Sequence, residues 1–156
     1  MEIAATCVLP GTNRGRLLST HQPISFWGCV DPLTGNISDR RHELFGESIS
    51  EKVLVFPFGK GSSTGSLMIL ELLRLDLAPA AIINIRTEPL LATGPVVGKH
   101  FYGKTFPIVN VAESDFNLLK TGIHAEIVSQ KNGSYVRIGS SNTKLVSKCL
   151  KKRWRP

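Results

Sequence analysis

The sequence predicts a compact α/β domain built around one βαβ unit, and three consecutive segments carry that expectation. Val53-Leu54-Val55-Phe56 is a continuous apolar run of strand length, the pattern of a strand buried on both faces. Pro57 to Gly65 is rich in Gly and Ser. After it, Leu67, Ile69, Leu70, Leu72, Leu73 and Leu75 fall at mixed three- and four-residue spacings, interrupted by Glu71 and Arg74, which predicts a mostly buried helix. Pro79 ends that helix, and Ala80-Ala81-Ile82-Ile83-Asn84-Ile85 reads as a second buried strand. A strand–turn–helix–strand succession is expected to be right-handed with its strands parallel.

The flanking elements follow from local signals. Ala4–Leu9, Arg16–Thr20 and Ile24–Trp27 read as short strands broken by turn residues. Asp31-Pro32-Leu33-Thr34-Gly35 is a turn, because Asp accepts a backbone hydrogen bond, Pro pre-sets φ and Gly tolerates positive φ; a short strand follows near Asn36–Ser38. Thr87-Glu88-Pro89 is a helix start with Thr as cap. Pro107–Val111 is a strand and Glu113–Lys120 a short helix ended by Gly122. Ile123–Ser129 and Tyr135–Ile138 form a hairpin across Lys131-Asn132-Gly133. Periodicity is lost after Gly139, which divides the chain into a domain over 1–138 and a basic tail over 139–156.

Composition narrows the function classes. The chain has 156 residues, 42% hydrophobic and 20% charged, an ordinary balance for one soluble globular domain. No apolar run approaches the roughly 20 residues of a bilayer-spanning helix, and the N-terminus shows no secretory pattern. Cys7, Cys29 and Cys149 are widely separated, a poor framework for disulfides or metal, which fits a reducing cytoplasm. Lys148, Lys151, Lys152, Arg153 and Arg155 crowd the last nine residues; without them the net charge of +7 falls to +2. A solvated basic end accounts for that charge, so nucleic acid is not the expected partner.

Chemistry concentrates in Phe58-Gly59-Lys60-Gly61-Ser62-Ser63-Thr64-Gly65-Ser66. Its glycines allow close backbone approach, the following helix N-terminus attracts anions, Lys60 adds a charge, and several hydroxyls can donate, accept or attack. The plainest reading is that Ser62 or Ser63 only caps the helix. A phosphate-binding P-loop is excluded, since Lys60 is followed by Gly61 and position 55 is Val. Gly61-Ser62-Ser63-Thr64-Gly65 also matches the nucleophile elbow of serine hydrolases, with Asp115 and His124 available in the required order. Too few strands precede it for that fold.

Several separated motifs, in order, make a more specific match. Ser25-Phe26-Trp27-Gly28-Cys29-Val30-Asp31-Pro32-Leu33-Thr34-Gly35, Val53–Phe56, Gly59–Ser66 and Ala78-Pro79-Ala80-Ala81-Ile82-Ile83 together resemble the swivelling domain of aconitase X, from about Leu9 to Ile138. The resemblance implies a compact swivelling β/β/α domain that closes over a large aconitase X-type subunit. That large partner would hold an iron–sulfur cluster and most of the substrate site, leaving no metal on this chain. It implies dehydration of a small hydroxy acid, mevalonate 5-phosphate or cis-3-hydroxy-L-proline, and Phe26-Trp27 with Val30-Asp31-Pro32 lean towards the hydroxyproline type. The serine after Gly-Lys-Gly is that family's proton acceptor, which falls on Ser62, with Ser63 as the neighbouring alternative. Lys60, Gly61, Ser63 and Thr64 would surround the substrate. Two departures stand out: Cys29 occupies a position where the family pattern has glycine, and the segment beyond Ile138 lies outside the pattern. A different class of reading, an anion- or nucleic-acid-binding module using the basic tail, needs no catalysis.

The remaining polar residues read more plainly. Asp31 is a turn former, His21, His42, His100 and His124 read as mostly surface, and Arg40-Arg41 as a solvated loop. Arg86-Thr87-Glu88 follows a strand at its carboxyl end, where open α/β sheets place ligands, and ranks second to the glycine loop.

Overall fold

The structure is a computed structural model and describes residues 1–139. Seven strands form a closed barrel: β1 (Glu2–Leu9), β2 (Gly11–Ser19), β3 (Val53–Val55), β4 (Ala81–Asn84), β5 (Ile108–Asn110), β6 (His124–Ser129) and β7 (Ser134–Ile138), in the spatial order β1-β5-β4-β3-β2-β6-β7. Four helices complete the described residues: α1 (Phe26–Cys29), α2 (Ser63–Arg74), α3 (Pro89–Tyr102) and α4 (Glu113–Phe116). The compact α/β class predicted from the sequence is the one observed. The tail reading beyond Gly139 lies outside the described residues.

Two long strands close the barrel by changing partners halfway. Glu2–Ala5 of β1 pairs with β7, while Thr6–Leu9 pairs with β5 across a register shift between Cys7 and Leu9. Gly11–Arg16 of β2 pairs antiparallel with β6, and Leu17–Ser19 pairs parallel with β3. Strands β2, β3, β4 and β5 are mutually parallel; every other pairing is antiparallel. Val53–Val55 and Ala81–Ile83 are thus parallel neighbours joined through α2, as the βαβ pattern requires.

Strand alternation explains the continuous apolar runs. Val53, Val55, Ala81, Ile83 and Val109 point into the barrel beside Ile3, Ile127, Val136 and Phe116. Leu54, Phe56, Ile82 and Ile108 point outward, yet are buried beneath Ile69, Leu72, Leu73 and Leu91 of α2 and α3. Both faces are covered, so apolar side chains fill them and a polar one such as Asn84 needs a hydrogen-bond partner.

Some local expectations are corrected. Ile24–Trp27 is not a strand: Ile24 makes one parallel bridge with Gly59, and Phe26–Cys29 forms a helical turn interrupted by Gly28 at φ 85°. Asn36–Ser38 contributes only isolated bridges to Val30 and Ser48. β2 begins at Gly11 because backbone pairing with β6 orders the exposed Thr12, Asn13 and Arg14, which carry no apolar signal. α3 begins after Glu88, and the Thr87 hydroxyl caps nothing. α4 ends at Phe116 instead of reaching Lys120.

Candidate active site

The glycine loop leaves β3 at its carboxyl end and is tied down by backbone bonds on both sides. The Lys60 N–H donates to the Ile24 carbonyl at 2.9 Å, and the Ile85 and Arg86 N–H groups donate to the Pro57 carbonyl at 3.0 and 3.2 Å. Beneath it lies a partly buried polar knot at the ends of β4 and β5. Asn84, fully buried, donates through Nδ2 to the Phe56 carbonyl at 2.7 Å. Thr87 Oγ1 sits 2.6 Å from Asn110 Oδ1 and 3.1 Å from Asn84 Oδ1; with one proton it donates to the nearer. Buried polar groups bonded in this way fix the loop ends in one arrangement.

Ser62 is the N-cap of α2. Its backbone is extended (φ −153°, ψ 157°) and its Oγ accepts the Gly65 N–H at 3.1 Å. The capping reading is therefore correct for Ser62, and it defines the hydroxyl's surroundings: the oxygen faces the free N–H end of a 12-residue helix whose first turn contains no acidic residue. Ser63 and Thr64 occupy the first helical positions, and their hydroxyls have no hydrogen-bond partner among the described residues. Lys60, Gly61, Ser62 and Ser63 are exposed. The Ser66 hydroxyl turns inward instead and donates to the Leu90 carbonyl, joining α2 to α3.

A shallow depression gathers Ile24, Phe26, Lys60, Gly61, Ser62 and Glu88. Beside it opens a cleft of about 460 Å³ lined by Gln22, Pro23, Ser25, Cys29, Asp39, Arg41, His42 and Lys60. Lys60 belongs to both. Arg86 lies over the Phe58 ring, 5.7 Å from its centroid, and its guanidinium is 3.7 Å from Glu88 Oε1. The second-ranked segment, Arg86–Glu88, thus borders the same loop.

Other sequence readings fare differently. Asp31 is the expected turn former, accepting from the Leu33 N–H at 2.9 Å and the Thr34 hydroxyl at 3.1 Å. His42 is not a surface residue: it is 8% exposed. Cys29 is buried beside the cleft, where desolvation and then the Asp39 carboxylate push its thiol pKa up, against the lowering effect of Lys60. The hydrolase reading is not met. His124 is paired with Arg16 and Asp115 borders Ile85 and Asn110, each lining a depression that excludes the glycine loop. Among the described residues no three His, Cys, Asp or Glu side chains are grouped to hold a metal ion, and Cys7 stands on β1 away from Cys29 in α1, so an iron–sulfur cluster does not fit them. Gln22, Asp39 and His42 were not singled out as site residues from the sequence, whereas Glu88 belongs to the second-ranked segment.

A barrel with one parallel flank, carrying a glycine–serine loop over a helix N-terminus, defines a mixed α/β domain whose candidate chemistry faces outward. The family comparison makes this specific: residues 2–138 match the family model of the aconitase X swivel domain. This chain belongs to the aconitase X swivel-domain family. It is 44% identical over 113 residues to the phosphomevalonate dehydratase small subunit of Methanosarcina mazei, covering 72% of this chain and 74% of the relative. It is 36% identical over 138 residues to the cis-3-hydroxy-L-proline dehydratase of Hypocrea jecorina, covering 87% of this chain but 23% of that longer protein. The crystal structure of Thermococcus kodakaraensis aconitase X in its holo form superposes with a TM-score of 0.78 at 34% identity, covering 89% of this chain and 98% of that chain.

Proposed function

We propose that this chain is the small subunit of an aconitase X-type hydro-lyase, with Ser62 as the base that removes a proton α to a carboxylate. In this reading Lys60, Gly61, Ser63 and Thr64 surround the substrate. A large partner subunit, in the cytoplasm, supplies the remaining site and holds the iron–sulfur cluster; no step below is routed through that cluster. The relatives named as dehydratases support the reaction class. The observation that carries the role of Ser62 is its hydroxyl at the α2 N-terminus, accepting the Gly65 N–H two residues after Lys60.

Both candidate substrates, mevalonate 5-phosphate and cis-3-hydroxy-L-proline, are β-hydroxy carboxylates, so both need the same first event. The α-proton passes to the Ser62 oxygen while negative charge grows on the substrate carboxylate. A serine alkoxide is strongly disfavoured in water. A donated N–H, the helix dipole and a nearby ammonium each favour it, and far more so once water is excluded. Ser62 and Lys60 are exposed on the chain alone. Closure by the large subunit is the event that makes the electrostatics effective, and this is why the small chain is inactive by itself.

The sequence leaning towards the hydroxyproline type gains nothing from identity, since the phosphomevalonate relative matches at 44% and the hydroxyproline relative at 36%. Both substrates belong in the assay. With the reconstituted pair, Ser62→Ala is expected to slow dehydration by about 100-fold or more, while losing only the ~0.5–2 kcal/mol of a helix cap. Ser63→Ala is expected to keep most of the rate. A dead Ser63→Ala with a working Ser62→Ala moves the base by one residue; two working variants remove the loop from the chemistry.

A further inference from the structure

Large apolar side chains stand exposed around the depression that holds Ser62. Phe26, Gly59, Ser66 and Leu91 line it. The chain neighbour of each, Trp27, Phe58, Leu67 and Leu90, is a large apolar residue left in solvent. These four come from separate segments, namely α1, the glycine loop, α2 and α3. Contacts behind them hold the segments together: Phe26 packs edge-on against Phe56 at 6.2 Å, the Lys60 N–H donates to the Ile24 carbonyl, and the Ser66 hydroxyl donates to the Leu90 carbonyl. Trp27 presents the largest side chain, 60% exposed and so on the order of 150 Å². Its backbone is pinned. α1 breaks at Trp27 (φ −73°, ψ 118°), Gly28 follows at φ 85°, and the Ser25 hydroxyl donates to the Trp27 carbonyl at 2.9 Å. A side chain at Gly28 would meet nothing within 4 Å, so glycine stands there for its φ and not for want of space. An aromatic residue on a pinned turn loses little freedom when covered, which is what an interface anchor requires.

We propose that this apolar rim is the docking face for the large partner subunit, with Trp27 as its anchor, and that its contact seals water out around Ser62. The proposal rests on the reading of this chain as a small subunit with Ser62 as its base. Apolar contacts surrounding a polar centre desolvate that centre without taking part in its chemistry. The charge of the face selects the occupant. Arg86 lies over the Phe58 ring and is offset by Glu88 at 3.7 Å, which leaves Lys60 and the α2 N-terminus as net positive charge within the rim. A second copy meeting this face about a two-fold axis would set Lys60 and the helix N-terminus against their own equivalents. A large subunit that presents an apolar margin around an anionic substrate meets no such repulsion.

The test is hydroxyl-radical footprinting of the full 156-residue chain, alone and with the large subunit, read beside the binding and turnover of variants. Trp27 and Phe58 should lose most of their oxidation in the complex, while Phe101, 71% exposed at the far end of α3, should keep it. Trp27→Ala should raise the Kd for the large subunit about tenfold or more, with kcat restored once the large subunit is saturating. Phe101→Ala and Ser62→Ala should both bind within about twofold of wild type. A complex that leaves Trp27 and Phe58 open to oxidation, or a Trp27→Ala chain that binds normally or stays slow at saturation, overturns the docking face and leaves the reading of Ser62 standing. Protection of Trp27 in the chain alone overturns it too: dependence on concentration assigns the rim to a second copy, and loss of protection on truncation after Gly139 assigns it to the chain's own tail. Failure to form any complex removes the docking face together with the small-subunit reading, whereas full turnover by Ser62→Ala removes the base alone.

Discussion

Gly94→Ala tests how tightly α2, and with it the candidate base, is held against α3. A methyl group at Gly94 would lie 2.6 Å from the Ser66 carbonyl oxygen and 3.0 Å from both Cβ and Cγ2 of Ile69, inside any tolerable carbon–oxygen or carbon–carbon separation. The struck oxygen is backbone, so no rotamer change relieves the clash and the helices must move apart. Overpacking of this kind costs about 1–3 kcal/mol. Exchanging Gly for Ala inside a helix returns up to ~1 kcal/mol of propensity. The net expectation is a loss of about 1–2 kcal/mol, which for a chain of this size lowers Tm by roughly 2–8 °C. Catalysis should suffer beyond that, because the Ser66 N–H donates to the Ser62 carbonyl at 3.4 Å and the Ser66 hydroxyl to the Leu90 carbonyl. Displacing Ser66 therefore displaces the cap one turn earlier. Calorimetry gives the first number and turnover of the reconstituted pair the second. Gly61→Ala is the control for stability only, since its methyl would meet Glu88 at an ordinary 3.6 Å. A Gly94→Ala protein melting within about 1 °C of wild type would refute the close approach on which this reasoning depends.

Three further outcomes follow from the same structure. Glu43 is held below the ordinary glutamate range first by the Thr20 hydroxyl, with desolvation opposing as the next-largest effect and the backbone N–H groups of His21 and Gln22 adding to the lowering. A depressed pKa contributes stability above the ordinary value and loses it as pH falls through the folded one, so Glu43→Gln should lower the denaturant midpoint at neutral pH, begin to approach wild type as pH falls below about 4.3, and converge only below the depressed folded value. Asn84→Leu should cost about 1–3 kcal/mol, measured by denaturant unfolding, because it leaves the buried Phe56 carbonyl without the Asn84 amide that donates to it. Truncation after Gly139 should leave the thermal transition nearly unchanged, since β7 already pairs with both β1 and β6 within the described residues; a large fall in Tm would place Leu145, Leu150 or Trp154 in the core.

The parts of the fold legible in the sequence are those where one physical cause dominates. Val53–Phe56 and, Asn84 apart, Ala80–Ile85 are apolar because both sheet faces are covered, and Pro57–Gly65 is marked by turn chemistry that few other structures require. Barrel closure was not legible. It depends on β1 and β2 each serving two neighbours, and residues such as Thr12, Asn13 and Arg14 are ordered by backbone pairing that leaves no side-chain pattern. The full length of α3 was hidden by Gly94, Pro95 and Gly98, which read as helix breakers; the two glycines are there because α2 and the Lys104 carbonyl approach too closely for a side chain. At the site, Ser62 and Lys60 could be picked out because they share one loop. His42, Asp39 and Gln22 could not, since they meet Lys60 only after the excursion between β2 and β3 folds back over the strand ends.

In the proposed function a small chain carries a base and leaves the rest of a reaction to a partner, and that excursion bears on why it would do so. The parallel flank of the barrel delivers four strand ends to one edge, and three of the connections leaving them, around Thr20–Ser25, Pro57–Ser62 and Ile85–Glu88, converge on Lys60 and Ser62. Each is fixed by backbone or buried side-chain hydrogen bonds, so the loop has little freedom of its own. Its exposure is then a property of the rigid edge and not of a poorly ordered loop. A rigid, exposed, electropositive edge can become a water-free site only if another surface meets it whole. A domain that moves as one body onto its partner satisfies that requirement, because it brings the serine, the lysine and the helix N-terminus to the substrate without rearranging any of them.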